Sequence, residues 1–320
     1  MKQSSFYYSV GALLYCPANN QTIISSVINQ KFNAIFSLAL CLEDTIHDDY
    51  VDQAEEQLIS SIREIFSAAQ AENFYLPKIF IRVRDSKQIS RLVQELGFCI
   101  EIVTGFIIPK FSLENADTYI RTIGEVNSTS NRNIYVMPIY ESTSIIDLRT
   151  RYEILYSLKE KLDLIEDLVL NIRVGGNDLC HAFGFRRHVN ESIHQIGPIA
   201  NIFSDIVTVY GLDYVISGPV WEYYNGTEWK KGLEKELVDD RLCGFIGKTV
   251  IHPNQIEVVN LSHRVSRKDF EDAKLILGWE DDTASMVSGC SSGERMNEYK
   301  THFNWAQRTI FLAETFGLKP

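Results

Sequence analysis

The chain has 320 residues, and its composition, 45% hydrophobic and 23% charged, is that of an ordinary globular protein. Its 42 acidic and 31 basic residues give a formal charge of -11, which repels polyanions and argues against nucleic-acid binding. No apolar run reaches the roughly 18 residues of a membrane span, and the six scattered cysteines suit small buried side chains in a reducing compartment. We therefore expect a cytoplasmic protein that binds neither nucleic acid nor membrane.

Short β-rich runs recur along the chain, and a longer stretch with helical spacing of apolar residues follows each. In chain order the runs are "VGALLYCP", "FSLALCLED", "KIFIRV", "GFIIPK", "IYVMPIYES", "LVLNIRVGGND", "DYVISGP" and "KTVIHP". Strands that alternate with helices predict a parallel β/α architecture. Eight such units predict a (β/α)8 TIM barrel, and the spacing alone leaves an open doubly wound sheet as the alternative.

The alternation stops after Pro253, and the remaining residues have the spacing of two helices around the stretch "TASMVSGCSSGE". We therefore expect a barrel domain over residues 1–262 and a C-terminal helical extension over residues 263–320. Such an extension packs as a simple cap, covers the barrel as a lid, or docks on a neighbouring subunit.

Polar side chains collect where the predicted strands end. They are Glu43, Asp44, Arg82, Arg84, Lys110, Glu141, Asn177, Asp178 and His252. In a parallel barrel these ends meet at one mouth, where several carboxylates are costly to bury unless a cation neutralises them. Oxygen ligands without clustered cysteines favour Mg²⁺, with Mn²⁺ as the alternative ion. Taken singly, each acid is more often a helix cap or a surface turn.

Seven motifs in the same order resemble the citrate lyase β-subunit-like branch of the HpcH/HpaI aldolases, from residue 10 to about residue 260. They are "ALLYCPANN", "LCLEDTI", "IRV", "IIPK", "YES", "GGNDL" and "GFIGKTVIHPNQI". More narrowly, "YYSVGALLYCPANN" and "MNEYKTHFNWA" resemble predicted carbon–carbon bond lyases encoded beside tellurium-resistance genes.

The resemblance implies a (β/α)8 barrel in which Glu141 and Asp178 hold Mg²⁺. It also implies that Arg82 holds a carboxylate or carbonyl of the substrate, and that Glu43 and Asp44 orient water bound to the ion. The implied reaction cleaves or forms a bond next to a carbonyl, where the ion and Arg82 stabilise the developing enolate.

Three further predictions concern substrate binding. Gly175 and Gly176 would let the backbone approach the substrate closely. Arg84, two residues beyond Arg82, would face the same way along the strand and add a positive charge for an anionic substrate. Lys110 would also contact the substrate, and a Schiff base through its amine is the less favoured mechanism.

The expected partners are a small oxoacid or an acyl thioester, with the use of coenzyme A left open, and further copies of the chain in a homo-oligomer, such as a trimer. In the resembling family a C-terminal aspartate reaches an active site, and Asn297 and Glu298 occupy that region here. Two other functions stay open: a non-catalytic metabolite-binding or regulatory barrel in a stress-response complex, and a biosynthetic enzyme that uses the same chemistry for condensation.

Overall fold

The computed structural model describes residues 2–32, 34–279, 285–290 and 292–320. The strands are β1 (Ala12–Pro17), β2 (Ser37–Cys41), β3 (Lys78–Arg82), β4 (Val103–Ile108), β5 (Tyr135–Tyr140), β6 (Ile172–Val174), β7 (Ile216–Ser217), β8 (Lys248–Val250), β9 (Val287–Gly289) and β10 (Met296–Glu298). The α-helices are α1 (Gln21–Ile28), α2 (Val51–Ala71), α3 (Ser86–Leu96), α4 (Ala116–Thr129), α5 (Arg151–Asp163), α6 (Gly176–Phe183), α7 (Gly197–Tyr210), α8 (Trp229–Cys243), α9 (Asn254–Ser262), α10 (Arg267–Leu277) and α11 (Tyr299–Phe316).

The first eight strands form a parallel sheet that closes on itself. Their order is β7-β6-β5-β4-β3-β2-β1-β8, so each neighbours the next one along the chain, and β8 pairs with β1. A parallel bridge between Gly218 and Lys248 joins the two ends of the sheet. The predicted (β/α)8 barrel is therefore confirmed, and the open sheet is excluded.

Side-chain alternation along the strands separates an inner core from an outer one. Inside the barrel, Leu13, Ala39, Phe80, Ile107 and Met137 pack together. The larger outer cluster fills the space between the strands and the surrounding helices. Because apolar side chains fill most of the interior, most polar side chains that could contact a ligand lie at the ends of the strands.

Local sequence signals set the helix boundaries next to the strand ends. Asp85 begins α3, since its side chain accepts a hydrogen bond from the amide of Gln88, and Gly97 ends this helix with a φ of 53°. None of the helices in the described part of the chain has the length and apolar character needed to cross a bilayer.

The last helix, α11, packs at the amino end of the barrel. Its Phe311 ring lies 5.4 Å from that of Tyr8, and its Thr315 hydroxyl is 3.3 Å from the carbonyl oxygen of Ser5, both residues preceding β1. This end is opposite the mouth predicted from the strand ends, so within one chain α11 caps the bottom of the barrel. The ribbon of β9 and β10 between α10 and α11 was not predicted from the sequence.

Candidate active site

The carboxyl ends of β2 to β5 bring five of the predicted side chains into contact. Glu43 and Asp44 follow β2, Arg82 ends β3, Lys110 follows β4 and Glu141 follows β5. Nη2 of the Arg82 guanidinium lies 2.8 Å from Glu43 Oε2, 3.0 Å from Asp44 Oδ2 and 3.0 Å from Glu141 Oε1. We call these five residues the mouth cluster. Its three carboxylates share one buried cation.

Lys110 ties the mouth cluster together with both its side chain and its backbone. Its Nζ lies 2.6 Å from Glu43 Oε1 and 3.1 Å from Asp44 Oδ1, and its amide donates to Glu141 Oε1 at 3.0 Å. The φ of Lys110 is 46°, a left-handed conformation that costs a non-glycine residue on the order of 1 kcal/mol. Without a bound ligand, the amine of Lys110 therefore forms ion pairs with Glu43 and Asp44.

The carboxylates of the mouth cluster differ in how readily they ionise. Burial raises the pKa of Glu141 to about 7; the charge of Arg82 opposes this rise, and the charge of Asp178 adds to it. Burial also disfavours the charged form of Asp44, but its hydrogen bond with Glu43 and the charges of Arg82 and Lys110 outweigh burial and lower its pKa. Glu141 is therefore the carboxyl group most in need of an additional positive charge.

Asp178 completes the predicted metal pair. It lies in the first turn of α6, partly exposed and close enough to Glu141 for its charge to act there. From the described residues, no hydrogen bond or ion pair reaches the carboxylate of Asp178, and Glu141 Oε2 likewise has no donor. These two hard oxygen ligands fit Mg²⁺, which commonly takes one or two carboxylates and leaves other positions to water and substrate. The described residues contain no group of three or more His, Cys, Asp or Glu side chains placed to hold a metal.

Gly175 and Gly176 allow close packing within the protein. A Cβ on Gly175 would lie 2.3 Å from both Cβ and Oε2 of Glu141, and one on Gly176 would lie 2.5 Å from Ile193 and 2.8 Å from Pro219. The Gly175 amide donates to the Tyr140 carbonyl at 3.1 Å. Protein atoms therefore fill the space that the missing side chains of both glycines leave, and their contact with the substrate stays a prediction. Gly175 makes room for Glu141.

The geometry predicted for Arg84 differs from the one in the structure, and its contact with the substrate stays a prediction. β3 ends at Arg82, so the strand alternation that was to aim Arg84 at the substrate does not extend to it. Its guanidinium instead donates to the carbonyls of Leu42 at 2.7 Å and Ile46 at 2.5 Å, and pairs with Asp48 at 2.6 Å. Arg84 therefore stabilises the loop that contains Glu43 and Asp44.

The other strand-end residues lie outside the mouth cluster. His252 stacks on Tyr224, with ring centroids 4.7 Å apart, and its Nδ1 accepts from the amide of Asn254 at the start of α9. Asn177 lines a cavity of about 300 Å³ on the surface beside α6. Asn297 is buried in β10, and Glu298 ends β10 at the N-cap position of α11; in the described part of the chain neither contacts the mouth cluster.

Two polar residues inside the barrel were missed by the sequence analysis. Tyr15 on β1 lies over Arg82, 6.0 Å from ring centroid to guanidinium carbon, and Arg173 on β6 is buried. Burial raises the pKa of Tyr15 to about 12, and the charges of Arg82 and Arg173 oppose the rise. The alternation of side chains along each strand could have indicated this, because it places both residues on the face that points into the barrel.

Comparison with known proteins agrees with the barrel fold. A family model described as carbon–carbon bond lyase of the TIM-barrel fold matches residues 4–318. The chain belongs to this family. No curated protein sequence matches it, so the narrower likeness to the lyases of tellurium-resistance gene clusters stays a prediction.

Solved structures of low sequence identity share the fold. CitE from Mycobacterium tuberculosis, in complex with magnesium, acetoacetate and coenzyme A, is 16% identical with a TM-score of 0.62, over 96% of this chain and 99% of that one. A citrate lyase from Burkholderia xenovorans is 12% identical with a TM-score of 0.70, over 97% of this chain and 93% of that one. RipC from Yersinia pestis is 16% identical with a TM-score of 0.54, over 80% of this chain and 95% of that one.

Proposed function

We propose that the protein is a Mg²⁺-dependent carbon–carbon lyase acting next to a carbonyl group of a small oxoacid or acyl thioester. The charge balance at the mouth is the observation that carries this proposal. Four carboxylates, those of Glu43, Asp44, Glu141 and Asp178, face two cations, Arg82 and Lys110. When all are ionised two negative charges remain, and one divalent cation neutralises them.

The side chains of the mouth have distinct roles in this proposal. Glu141 and Asp178 would hold Mg²⁺, which supplies Lewis-acid polarisation of a carbonyl oxygen when bound. Arg82 fixes Glu43, Asp44 and Glu141 through one nitrogen, so the carboxylates keep their positions while the substrate reacts. With its oxygens held by Arg82 and Lys110, Glu43 is oriented to accept a hydrogen bond from water at the mouth.

Related structures support the substrate class. CitE from M. tuberculosis has been solved with magnesium and pyruvate, and the citrate lyase β subunit from the same organism with oxaloacetate and magnesium. Both ligands are small oxoacids, and their carbonyl oxygen is the kind of atom that a hard cation polarises.

The direct test is product formation from a panel of oxoacids and acyl thioesters, with the metal removed and restored. EDTA should abolish turnover and excess Mg²⁺ should restore it. Glu141→Gln should lower turnover by at least about 100-fold, because it removes a charged ligand. The control Glu64→Gln changes an exposed residue on the outer face of α2 and should leave turnover unchanged. Metal-independent turnover would refute the proposal; binding of Mg²⁺ and oxoacid without any product would indicate the regulatory barrel instead.

A further inference from the structure

Arg173 is a buried cation beneath the mouth cluster. It lies on β6 beside Ile139, an inward-facing residue of β5 two positions before Glu141, so Arg173 also faces the barrel interior. Its exposed fraction is 1%. The guanidinium donates to the Thr249 hydroxyl at 2.6 Å and to Asn171 Oδ1 at 3.4 Å, and the Tyr15 hydroxyl is a third neutral partner. All three of these hydrogen-bond partners are uncharged.

This environment sets Arg173 apart from the other buried arginines of the described chain. Arg82 has three carboxylates, Arg151 pairs with Asp205 at 2.7 Å and Arg187 with Glu236 at 3.1 Å. No carboxylate of the described residues pairs with Arg173. Burial lowers the pKa of Arg173, and neighbouring Arg82 adds to this effect. Burying a cation without a counter-ion costs free energy, so a negatively charged ligand next to Arg173 would be stabilised.

Neighbouring donors point to the same conclusion. The Nδ2 group of Asn171, whose side chain is 1% exposed, has no hydrogen-bond partner, and neither has the buried Nε of Arg82. Buried donors are normally satisfied, and one of these two unpaired donors belongs to a hydrogen-bond partner of Arg173. An anion bound next to Arg173 would supply a counter-charge together with acceptor oxygens.

Tyr15 links this region to the mouth cluster. It is partly exposed and contacts both Arg82 and Arg173. The apolar layer of Leu13 and Met137 fills the barrel interior, so a group bound beside Arg173 would have to be compact. A planar carboxylate suits a guanidinium in such a space.

We propose that Arg173, with Tyr15, Asn171 and Thr249, forms an inner subsite that binds a carboxylate of the substrate. This inference rests on the proposed function and specifies it: the substrate is an oxoacid with a free carboxylate one layer below the carbonyl group that reacts. With the four acids of the mouth balanced by Arg82, Lys110 and a divalent ion, Arg173 retains one positive charge, which that carboxylate neutralises.

Binding of matched ligands to the full chain tests the subsite, by calorimetric titration of pyruvate and of its neutral amide, pyruvamide, with Mg²⁺ present and absent. The wild type should bind pyruvate at least about tenfold more tightly than pyruvamide. Arg173→Gln should remove this preference by weakening pyruvate alone, and Arg173→Lys should retain part of it. The control Arg186→Gln removes an equal charge from a side chain that is 80% exposed, and should keep the full preference.

Thermal unfolding separates binding from a structural role. If Arg173 awaits a counter-ion, Arg173→Gln without ligand should melt at or above the wild-type temperature. A folded Arg173→Gln with unchanged preference for pyruvate would overturn the subsite, as would an equal loss of affinity for both ligands. If Arg173→Gln does not fold, Tyr15→Phe decides: a preference reduced severalfold supports the subsite, and an unchanged preference refutes it.

The two proposals can fail separately. An Arg173-dependent preference for pyruvate without any Mg²⁺-dependent turnover refutes the lyase and supports the subsite. If turnover depends on Mg²⁺ and the preference for pyruvate over pyruvamide is unchanged in Arg173→Gln, only the subsite is refuted. Competition by inorganic phosphate as strong as that by pyruvate would overturn the assignment to a carboxylate.

Discussion

Replacing Gly175 by alanine should displace Glu141 from the mouth cluster. The φ of Gly175 is -92°, which other residues adopt, so backbone strain is not the issue. The new Cβ would lie 2.3 Å from Cβ and Oε2 of Glu141, and such overpacking costs about 1–3 kcal/mol. A displaced Glu141 also loses its bonds to Arg82 and to the Lys110 amide, both 3.0 Å. We expect the free energy of unfolding to fall by about 2–4 kcal/mol in total.

The assay pairs urea unfolding with calorimetric titration of Mg²⁺. Gly175→Ala should lower the affinity for Mg²⁺ at least about tenfold, because one ligand has moved. Gly124→Ala is the matched control: Gly124 lies inside α4 with no atom within 4 Å of an added Cβ, so the change should stabilise the protein by about 0.5–1 kcal/mol. Wild-type stability and Mg²⁺ affinity in Gly175→Ala would refute this role of the glycine.

Other predictions follow from contacts away from Gly175. Arg84→Gln should lower the free energy of unfolding by about 1–2 kcal/mol, because the hydrogen bonds to the Leu42 and Ile46 carbonyls are lost. It should not alter the selectivity among anionic ligands in calorimetric titrations. Altered selectivity would support the prediction that Arg84 contacts an anionic substrate. Burial opposes protonation of His194, but its hydrogen bond to Asp240 outweighs burial and raises the pKa of His194 to about 9. The stabilisation of the fold by protonated His194 is therefore complete below about pH 6.5 and is lost as the pH rises through about 9. Between these pH values the free energy of unfolding in urea should fall by on the order of 2 kcal/mol less in His194→Gln than in the wild type. Equal decreases in the two proteins would contradict this.

The sequence predicts most of the barrel because its signals are local. Alternation of β-rich and helical spacing located all eight strands, and parallel strands carry their end residues to one mouth whatever the details between them. Closure was not predictable from spacing, since it depends on the bridge between Gly218 and Lys248, beside the two-residue strand β7. Glu43, Asp44, Arg82, Lys110 and Glu141 were brought together as expected.

The sequence was least informative where a tertiary contact decides the position of a side chain. "IRVRD" continues to alternate past Arg82, so the sequence does not show that the strand ends there and that Arg84 turns to the β2 loop. A glycine pair after a strand is compatible with a turn, a ligand or a close neighbour. The sequence does not show that Glu141 lies against Gly175, or that Ile193 and Pro219 lie against Gly176. Arg173 was missed because the sequence shows a single charge within an apolar run and does not show whether a carboxylate lies beside it in the fold.

Crystals soaked with Mn²⁺ and an oxoacid, measured for anomalous scattering, test the central claim most directly. Mn²⁺ accepts the same oxygen ligands as Mg²⁺ and is visible in such maps. The account predicts one strong peak within about 2.3 Å of carboxylate oxygens from both Glu141 and Asp178, with the oxoacid completing the coordination. A peak elsewhere, or none at the mouth while the oxoacid is bound and turned over, would contradict it.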